Sequence, residues 1–346
     1  MNATSSPQIF VLGNSRSGTT MMARILGRHS QVADLQEMHF IEQIITGAEF
    51  AAGQDLAPDR AVDLAARLLS VLRDGYFFAG DGAAYRTEAA DLASAPISAA
   101  ALFEKVRLSE AQKRGKTIPL EQTPRNVFYI PELLAAYPQA RILCMVRDPR
   151  DVCLSQKGKW RRRFLGANIP LFEALRAWGN YHPLVTAKIW SGAVQAGDAH
   201  GDHPQVKVVR YEDVAANPEQ VVRDICAHCA LTFEPDILNV AQQGSSDRQD
   251  VTGATGVDTS RIGTWQNRLS PAEIALCERV AGPDMARHGY DPAPMRANPI
   301  GIVFWWVLLP LKLAMALALN LKRVKSLGSW LRKRLFSKPP KVPHDV

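Results

Sequence analysis

The sequence predicts an α/β domain built around a parallel sheet, and three observations predict it. Short apolar runs of strand length alternate with amphipathic stretches of helical period along most of the chain. The first run ends in a glycine-containing loop that opens a helix. The composition is that of a sizeable globular protein, 346 residues with 47% hydrophobic and 22% charged. Such a chain fills one large or two ordinary domains and is neither disordered, nor collagen, nor a disulfide miniprotein.

Ile9-Phe10-Val11-Leu12 is a buried strand closed by Gly13, and Met21, Met22, Ile25 and Leu26 then recur at helical spacing up to about Arg28. Residues 60–74 and 98–114 have helical period, with an aperiodic surface insertion between them at Gly75 to Pro96. Lys116 to Leu120 is a second strand and Pro131 to Tyr137 a helix. Arg141-Ile-Leu-Cys-Met-Val-Arg147 is the strongest strand after the first; Asp148-Pro149 closes it and Asp151 opens a helix to about Lys157. One long helix is expected over residues 170–197, then a strand at Gln205 to Arg210, a helix at Pro218 to Cys229 and a polar loop at Gly244 to Thr259.

The net charge of +7 hides an asymmetry. From Asn298 onward there are nine basic residues and one acid in 49 residues, a net +8, which leaves the body at −1. The body therefore offers no broad electrostatic footprint for nucleic acid. Five cysteines, at 144, 153, 226, 229 and 277, follow a polar start without a basic or long apolar leader, so they are expected to be buried reduced thiols of a cytoplasmic protein. Cys226-Ala-His-Cys229 lies in a helical pattern without a second pair at zinc spacing, and no metal is expected there.

Asn14-Ser15-Arg16-Ser17-Gly18-Thr19-Thr20, between strand and helix, has the makings of a phosphate site. Glycines let backbone approach an anion, and a helix N-terminus presents N–H groups and partial positive charge. Ser17, Thr19 and Thr20 add hydroxyls, and Arg16 adds a guanidinium. Gly13-x4-Gly18 imitates a Walker loop, but Thr19 stands where that motif has lysine. The cation sits within the loop instead, which suits a terminal single phosphate better than a magnesium triphosphate. A P-loop kinase or a non-catalytic, membrane-tethered nucleotide binder are the other readings.

The run Arg16-Ser17-Gly18-Thr19-Thr20 resembles the 5′-phosphosulfate loop of sulfotransferases that use 3′-phosphoadenylyl sulfate (PAPS), in the version typical of tyrosylprotein-type and bacterial members. Arg147-Asp148-Pro149-Arg150-Asp151 with Ser155 is similar to that family's 3′-phosphate motif, Val209-Arg210-Tyr211-Glu212-Asp213 to a later conserved-type segment, and Gly263-Thr264-Trp265 to its G-x-W turn. The four occur in order across the body. The resemblance implies a three-layer, P-loop-like domain over residues 1–297, with PAPS as co-substrate, an acceptor hydroxyl on a glycan, lipid or protein, and no metal.

It also implies residue roles. Arg16 steadies the 5′-phosphate leaving group, joined by Ser17, Gly18, Thr19 and Thr20. Arg147 and Ser155 bind the 3′-phosphate, with Tyr211 and Arg261 beside the nucleotide. Asp148 and Asp151 are expected to cap the helix and Arg150 to be solvated. Glu37, 21 positions after Arg16, is the candidate general base, with His39 the rival base or an acceptor contact. In Glu121-Gln122-Thr123-Pro124-Arg125, Gln122 replaces the lysine that contacts the sulfonate in relatives, and Arg125 or Arg16 is left to compensate.

Residues 298–346 are a hydrophobic and basic tail. Ile300 to Leu319 is apolar over 20 residues except for Pro310 and Lys312, and Lys322 to Lys341 is basic with leucine and valine at three- and four-residue steps. Twenty apolar residues can span a bilayer, although a central lysine costs about 2.5–3.5 kcal/mol there. An anchor lying on anionic lipid, or a helix packed on the core, are the alternatives. The expected location is cytoplasmic, peripheral or C-terminally anchored at the membrane.

Overall fold

The computed structural model describes residues 7–242, 253–321 and 328. The Lys322 to Lys341 segment, apart from Gly328, and much of the Gly244 to Thr259 loop lie outside the described residues.

The chain opens with β1 (Gln8–Gly13), α1 (Thr19–Gly27) and β2 (Val32–Asp34). A helical insertion follows: α2 (Gly47–Ala51), α3 (Pro58–Asp74), α4 (Arg86–Leu92) and α5 (Ala99–Lys113). Next come β3 (Ile118–Glu121), α6 (Ile130–Ala136), β4 (Ala140–Val146) and α7 (Pro149–Gly158). Then α8 (Leu171–Gly179), α9 (Pro183–Asp198), β5 (Val206–Arg210), α10 (Tyr211–Ala216) and α11 (Pro218–His228) complete the sheet layers. The long α12 (Pro271–Arg287) and α13 (Pro299–Asn320) close the described chain.

The five strands form one parallel sheet in the order β2-β3-β1-β4-β5. β1 is its centre, and its alternating side chains feed two cores. Phe10 and Leu12 join the helical insertion and α6 on one face; Ile9 and Val11 join α1 and α11 on the other. This is the three-layer architecture, and it explains why β1 is apolar without interruption. A third cluster, centred on Trp190, Trp265 and Cys277, joins α7, α9 and α12.

Three expectations need correction. The 170–197 stretch is two helices, because Pro183 cannot continue a preceding helix; it becomes the first residue of α9 after Asn180 ends α8. The 75–96 insertion is not irregular throughout, since it contains the turn Ala83–Tyr85 and α4, whose Ala89 and Leu92 are buried against α3. β2 was not expected: it has three residues, too few to display a period, and is defined by its pairing of Val32 with Ile118 and Asp34 with Leu120.

Parallel strands bring their carboxyl ends to one edge, where ligands enter such sheets. There Gly13 lies opposite Met145 of β4 with a φ of 135°. A Cβ at Gly13 would lie 2.3 Å from the Met145 carbonyl oxygen, a collision with backbone that cannot swing aside. Gly13→Ala should therefore cost roughly 2–5 kcal/mol of stability, combining positive-φ strain and overpacking. The check is a lower urea midpoint at unchanged slope; an unaltered midpoint would contradict the close approach.

Candidate active site

The loop after β1 folds back on itself, with the Ser17 amide donating to the Asn14 carbonyl at 3.2 Å and Arg16 held at a φ of 78°. Gly18, at φ 92°, precedes the first turn of α1, and no side chain caps that turn. Thr20 is exposed in the first turn rather than serving as its cap. Gly18 is required a second time by packing, because a Cβ there would lie 2.5 Å from the Tyr211 ring. The hydroxyl of Ser17 is buried without a hydrogen-bond partner. A helix N-terminus with uncapped amides beside an unpartnered buried hydroxyl suits an oxyanion.

Cations surround this loop. Arg16 Nε donates to Ser155 Oγ of α7 at 2.8 Å, across 139 residues of chain. Arg147, only 7% exposed at the end of β4, donates to the Arg261 carbonyl at 2.7 Å and to the Arg16 carbonyl at 3.4 Å. Its guanidinium lies 4.5 Å over the Tyr211 ring, and its Nε is buried and unpartnered. The Tyr211 hydroxyl donates to the Asp258 carbonyl at 2.9 Å, and Arg261 pairs with the Asp258 carboxylate at 2.8 Å. Burial, reinforced by Arg162, Arg147 and Arg261, pushes Arg16 down to about 9, with Glu37 opposing. These cations repel one another, and an anion placed among them relieves that repulsion.

Two neighbouring residues depart from expectation. Asp148 does cap α7, accepting the Arg150 amide at 2.8 Å. Asp151, instead of capping, accepts the amides of Gly263 at 2.8 Å and Trp265 at 3.1 Å and the Thr264 hydroxyl at 3.2 Å. It fastens the Gly263-Thr264-Trp265 turn to α7 and so holds Arg261 beside Arg147. Arg150 is not solvated: it is buried on Trp265 at 3.9 Å and paired with Asp148 at 2.7 Å and Glu278 at 2.8 Å, which takes it out of the cleft.

On the other side of the loop, Gln122 Nε2 donates to Thr19 Oγ1 at 3.1 Å and to Glu37 Oε1 at 3.3 Å. Glu37 Oε2 pairs with His39 Nε2 at 2.9 Å. Partial burial pushes the Glu37 carboxyl up, but the His39 contact, then Lys159 and Arg125, outweigh it and bring the group to about 2. Gln36, His39 and Glu42 all occupy left-handed backbone, so the segment is bent at three non-glycine residues. Tertiary contacts hold it: the His39 amide donates to Thr123 Oγ1 at 3.1 Å, the Met38 amide to Glu121 at 3.4 Å, and the His39 ring rests on Tyr76 at 4.1 Å. Glu121 is fully buried, and burial raises its carboxyl to about 7 against the hydrogen bond from Thr123. Arg125 faces Glu42 at 3.5 Å and also acts electrostatically on Glu37.

Sequence reasoning missed Lys159, the first residue of the 3₁₀ turn Lys159–Leu165. It lies within electrostatic reach of Arg16 and Glu37, and burial together with Arg16 and Arg176 pushes it down to about 8. The available signal was its position four residues after Ser155 on a helical path, which puts both on one face. Lys157, by contrast, is tied to Glu273 at 2.8 Å. Cys226 and Cys229 are buried in the α1–α11 core, and burial pushes their thiols up to about 11 and about 12. Among the described residues no group of three His, Cys, Asp or Glu side chains is arranged to hold a metal.

Fold and cleft define a parallel α/β protein with an anion site at the carboxyl edge of its sheet. A profile described as “Sulfotransferase family” matches residues 7–235. The chain belongs to the sulfotransferase family. It is 26% identical over 325 residues to the “Omega-hydroxy-beta-dihydromenaquinone-9 sulfotransferase Stf3” of Mycobacterium tuberculosis, covering 85% of this chain and 78% of that one. It is 24% identical over 321 residues to “Nodulation protein NoeE” of Sinorhizobium fredii, covering 85% and 68%. Among solved structures, its fold is similar to the sulfotransferase domain from the curacin biosynthetic pathway, with a TM-score of 0.51 at 16% identity over 82% of this chain and 98% of that one. The sulfotransferase domain of the Synechococcus PCC 7002 olefin synthase gives 0.50 at 17% identity, over 81% and 97%.

A cation held below its ordinary value of 10.5 destabilises the folded chain while charged, and that loss fades as pH rises through about 8 toward 10.5. Lys159→Met should therefore raise the urea midpoint of the ligand-free protein at pH 7, by on the order of 1 kcal/mol after solvent screening. The gain should shrink steadily above pH 8. A lower midpoint at pH 7 would show that Lys159 is not among repelling neighbours.

Proposed function

We propose that this sulfotransferase takes its sulfonate from PAPS and transfers it to an acceptor hydroxyl, with Glu37 as general base. The observation that carries this reading is the convergence of Arg16, Arg147, Arg261 and Lys159 around the uncapped start of α1. Such a cleft suits a ligand with two separated phosphates and a sulfonate. The 5′-phosphate lies on the amides and hydroxyls of Ser17 to Thr20. The 3′-phosphate lies between Arg147 and Ser155, where the unpartnered Arg147 Nε has no other acceptor. Tyr211 and Arg261 border the nucleotide.

In the reaction the acceptor oxygen attacks sulfur, a new S–O bond forms, and the S–O bond to the 5′-phosphate breaks. The acceptor proton passes to Glu37, and the negative charge left on the phosphate oxygen is met by Arg16. A carboxylate at about 2 is ionised but weakly basic. Incoming phosphate and sulfonate charge neutralises Lys159 and Arg125, so Glu37 becomes more basic once the donor is bound. His39 orients Glu37 through the 2.9 Å contact, and Gln122 holds its other oxygen. Lys159 supplies the cation that Gln122 lacks. Residues 1–297 carry this chemistry, and residues 298–346 bring it to the cytoplasmic face of a membrane. The acceptor is a hydroxyl on a lipid, glycan or protein; the name of the mycobacterial relative, which specifies a hydroxylated quinone lipid, favours the first.

Glu37→Gln should lower kcat by about 10²–10⁴-fold while leaving the affinity for adenosine 3′,5′-bisphosphate nearly unchanged. Arg16→Ala should reduce both. The assay is transfer of labelled sulfonate from PAPS to candidate acceptors, and full activity in both variants would remove the site assignment. Adenosine 3′,5′-bisphosphate without magnesium should also raise the Tm, by about 2.7 kcal/mol of stability at 100 times its Kd. Stabilisation by magnesium ATP alone would favour the kinase reading.

A further inference from the structure

α13 is apolar enough to cross a bilayer, but it does not leave the folded body. Its half-buried residues are 301, 302, 305, 308, 309, 312, 315, 316, 319 and 320, which recur at the three- and four-residue steps of one helix face. That face is seated along its whole length. A Cβ at Gly301 would touch Ala272 of α12 at 2.9 Å, and His182 Nε2 meets the Trp305 carbonyl at 2.8 Å. At the far end Asn320 accepts from Arg176 at 3.0 Å and donates to Asn180 at 2.8 Å. The charge that argues against burial in lipid, Lys312, is turned inward. Its ammonium lies 3.9 Å over the Trp178 ring and donates to the Trp178 carbonyl at 3.1 Å.

The opposite face of α13 carries exposed Ile300, Val303, Phe304, Val307 and Leu311 and no charge among the described residues. Beside it α8 exposes a second apolar face: Leu171, Phe172 and Leu175 are each more than half exposed and Trp178 is 48% exposed. The preceding turn adds exposed Phe164, flanked by exposed Arg161 and Arg163. Exposed aromatic and aliphatic groups edged by arginines match an anionic lipid surface, and the basic tail that follows matches it too.

This surface borders the cleft. Arg176 binds Asn320 of α13 and acts electrostatically on Lys159, which in turn faces Arg16 and Glu37. On the other side of Glu37, the Tyr76 ring lies 4.1 Å from the His39 ring at a tilt of 50°, and the adjoining Phe77 and Phe78 are exposed. The Glu37–His39 pair therefore has apolar groups on two sides.

We infer that α8 and α13 together lie flat on an anionic bilayer, with α13 parallel to the surface rather than across it, and that the cleft takes the hydroxyl of an acceptor embedded in that bilayer. The acceptor half of this inference rests on the proposed sulfonate transfer; the docking half does not. A helix pinned to the body at residues 301 and 320 cannot traverse the bilayer unless the body enters it too. Flat docking covers both apolar faces at once and leaves Lys312 on Trp178.

The full chain is tested on vesicles of phosphatidylcholine with and without phosphatidylglycerol. Flotation with the anionic vesicles is expected, and Phe172→Glu/Leu175→Glu on α8 should weaken it at least tenfold while adenosine 3′,5′-bisphosphate still binds. For depth, Val303→Cys, Leu311→Cys and Leu317→Cys carry a fluorescent label; the five native thiols are buried. Quenching by lipids with shallow or deep nitroxides should place all three labels at one shallow depth. A label at 311 deeper than those at 303 and 317 is a spanning helix and overturns the inference. So does unchanged flotation of the α8 variant, or a stable dimer that does not float. A chain that floats but binds no adenosine 3′,5′-bisphosphate would sink the nucleotide reading and leave the docking intact.

Discussion

The cleft is organised around a cluster of cations gathered at the carboxyl edge of the sheet. Arg16, Arg147, Lys159 and Arg261 come from three parts of the chain, the loop after β1, the β4–α7 segment and the Gly263 turn, and meet at one sheet edge. Carboxylates offset part of this charge: Asp151, which holds the Gly263 turn, lies 3.8 Å from Arg147, and Asp258 pairs with Arg261 at 2.8 Å, while Glu37 is engaged by His39 and Gln122. Burial then depresses both Arg16 and Lys159 instead of letting them be solvated. The folded body carries this cost because the loop after β1, the end of β4 and α7 bring the groups together. An anion placed among them would offset it.

Backbone geometry decides where that charge acts. Gly13 brings the loop against β4, and Gly18 brings the start of α1 against Tyr211. Tyr211 in turn supports the Arg147 guanidinium from its other side. The start of α1 and the end of β4 are therefore joined through one aromatic ring. The Glu37 side is held differently. Its bent backbone is held by Thr123 and by the buried carboxyl of Glu121, so β3 and the residues after it position a segment that the sequence places some 84 residues earlier.

Gln122 stands where the resemblance to the family leads one to expect a lysine. Gln122 keeps a donor on Thr19 and Glu37 but adds no charge. Lys159, at the end of α7, lies within electrostatic reach of Glu37 and Arg16. The chain leads on into α8, and α8 holds α13, so one stretch of chain links this charge to the apolar surface.

Local sequence was sufficient for the strand–loop–helix unit at the start of the chain, for the separation of a near-neutral body from a basic tail, and for most helices. Each of these is written in contiguous residues as a period, a run or a turn signal. Pro183 also carried its helix break in plain view, but the hydrophobic pattern on either side masked it. Short β2, the pairing of Arg16 with Ser155, the role of Asp151, the arrival of Lys159 and the seating of α13 belong to the tertiary structure. They depend on contacts between residues far apart in the chain, and a three-residue strand or a lone lysine has no periodicity from which such contacts can be read. Whether twenty apolar residues stand alone or pack on the body is likewise undetermined by their hydrophobicity; the contacts of α13 with α8 and α12 decide it.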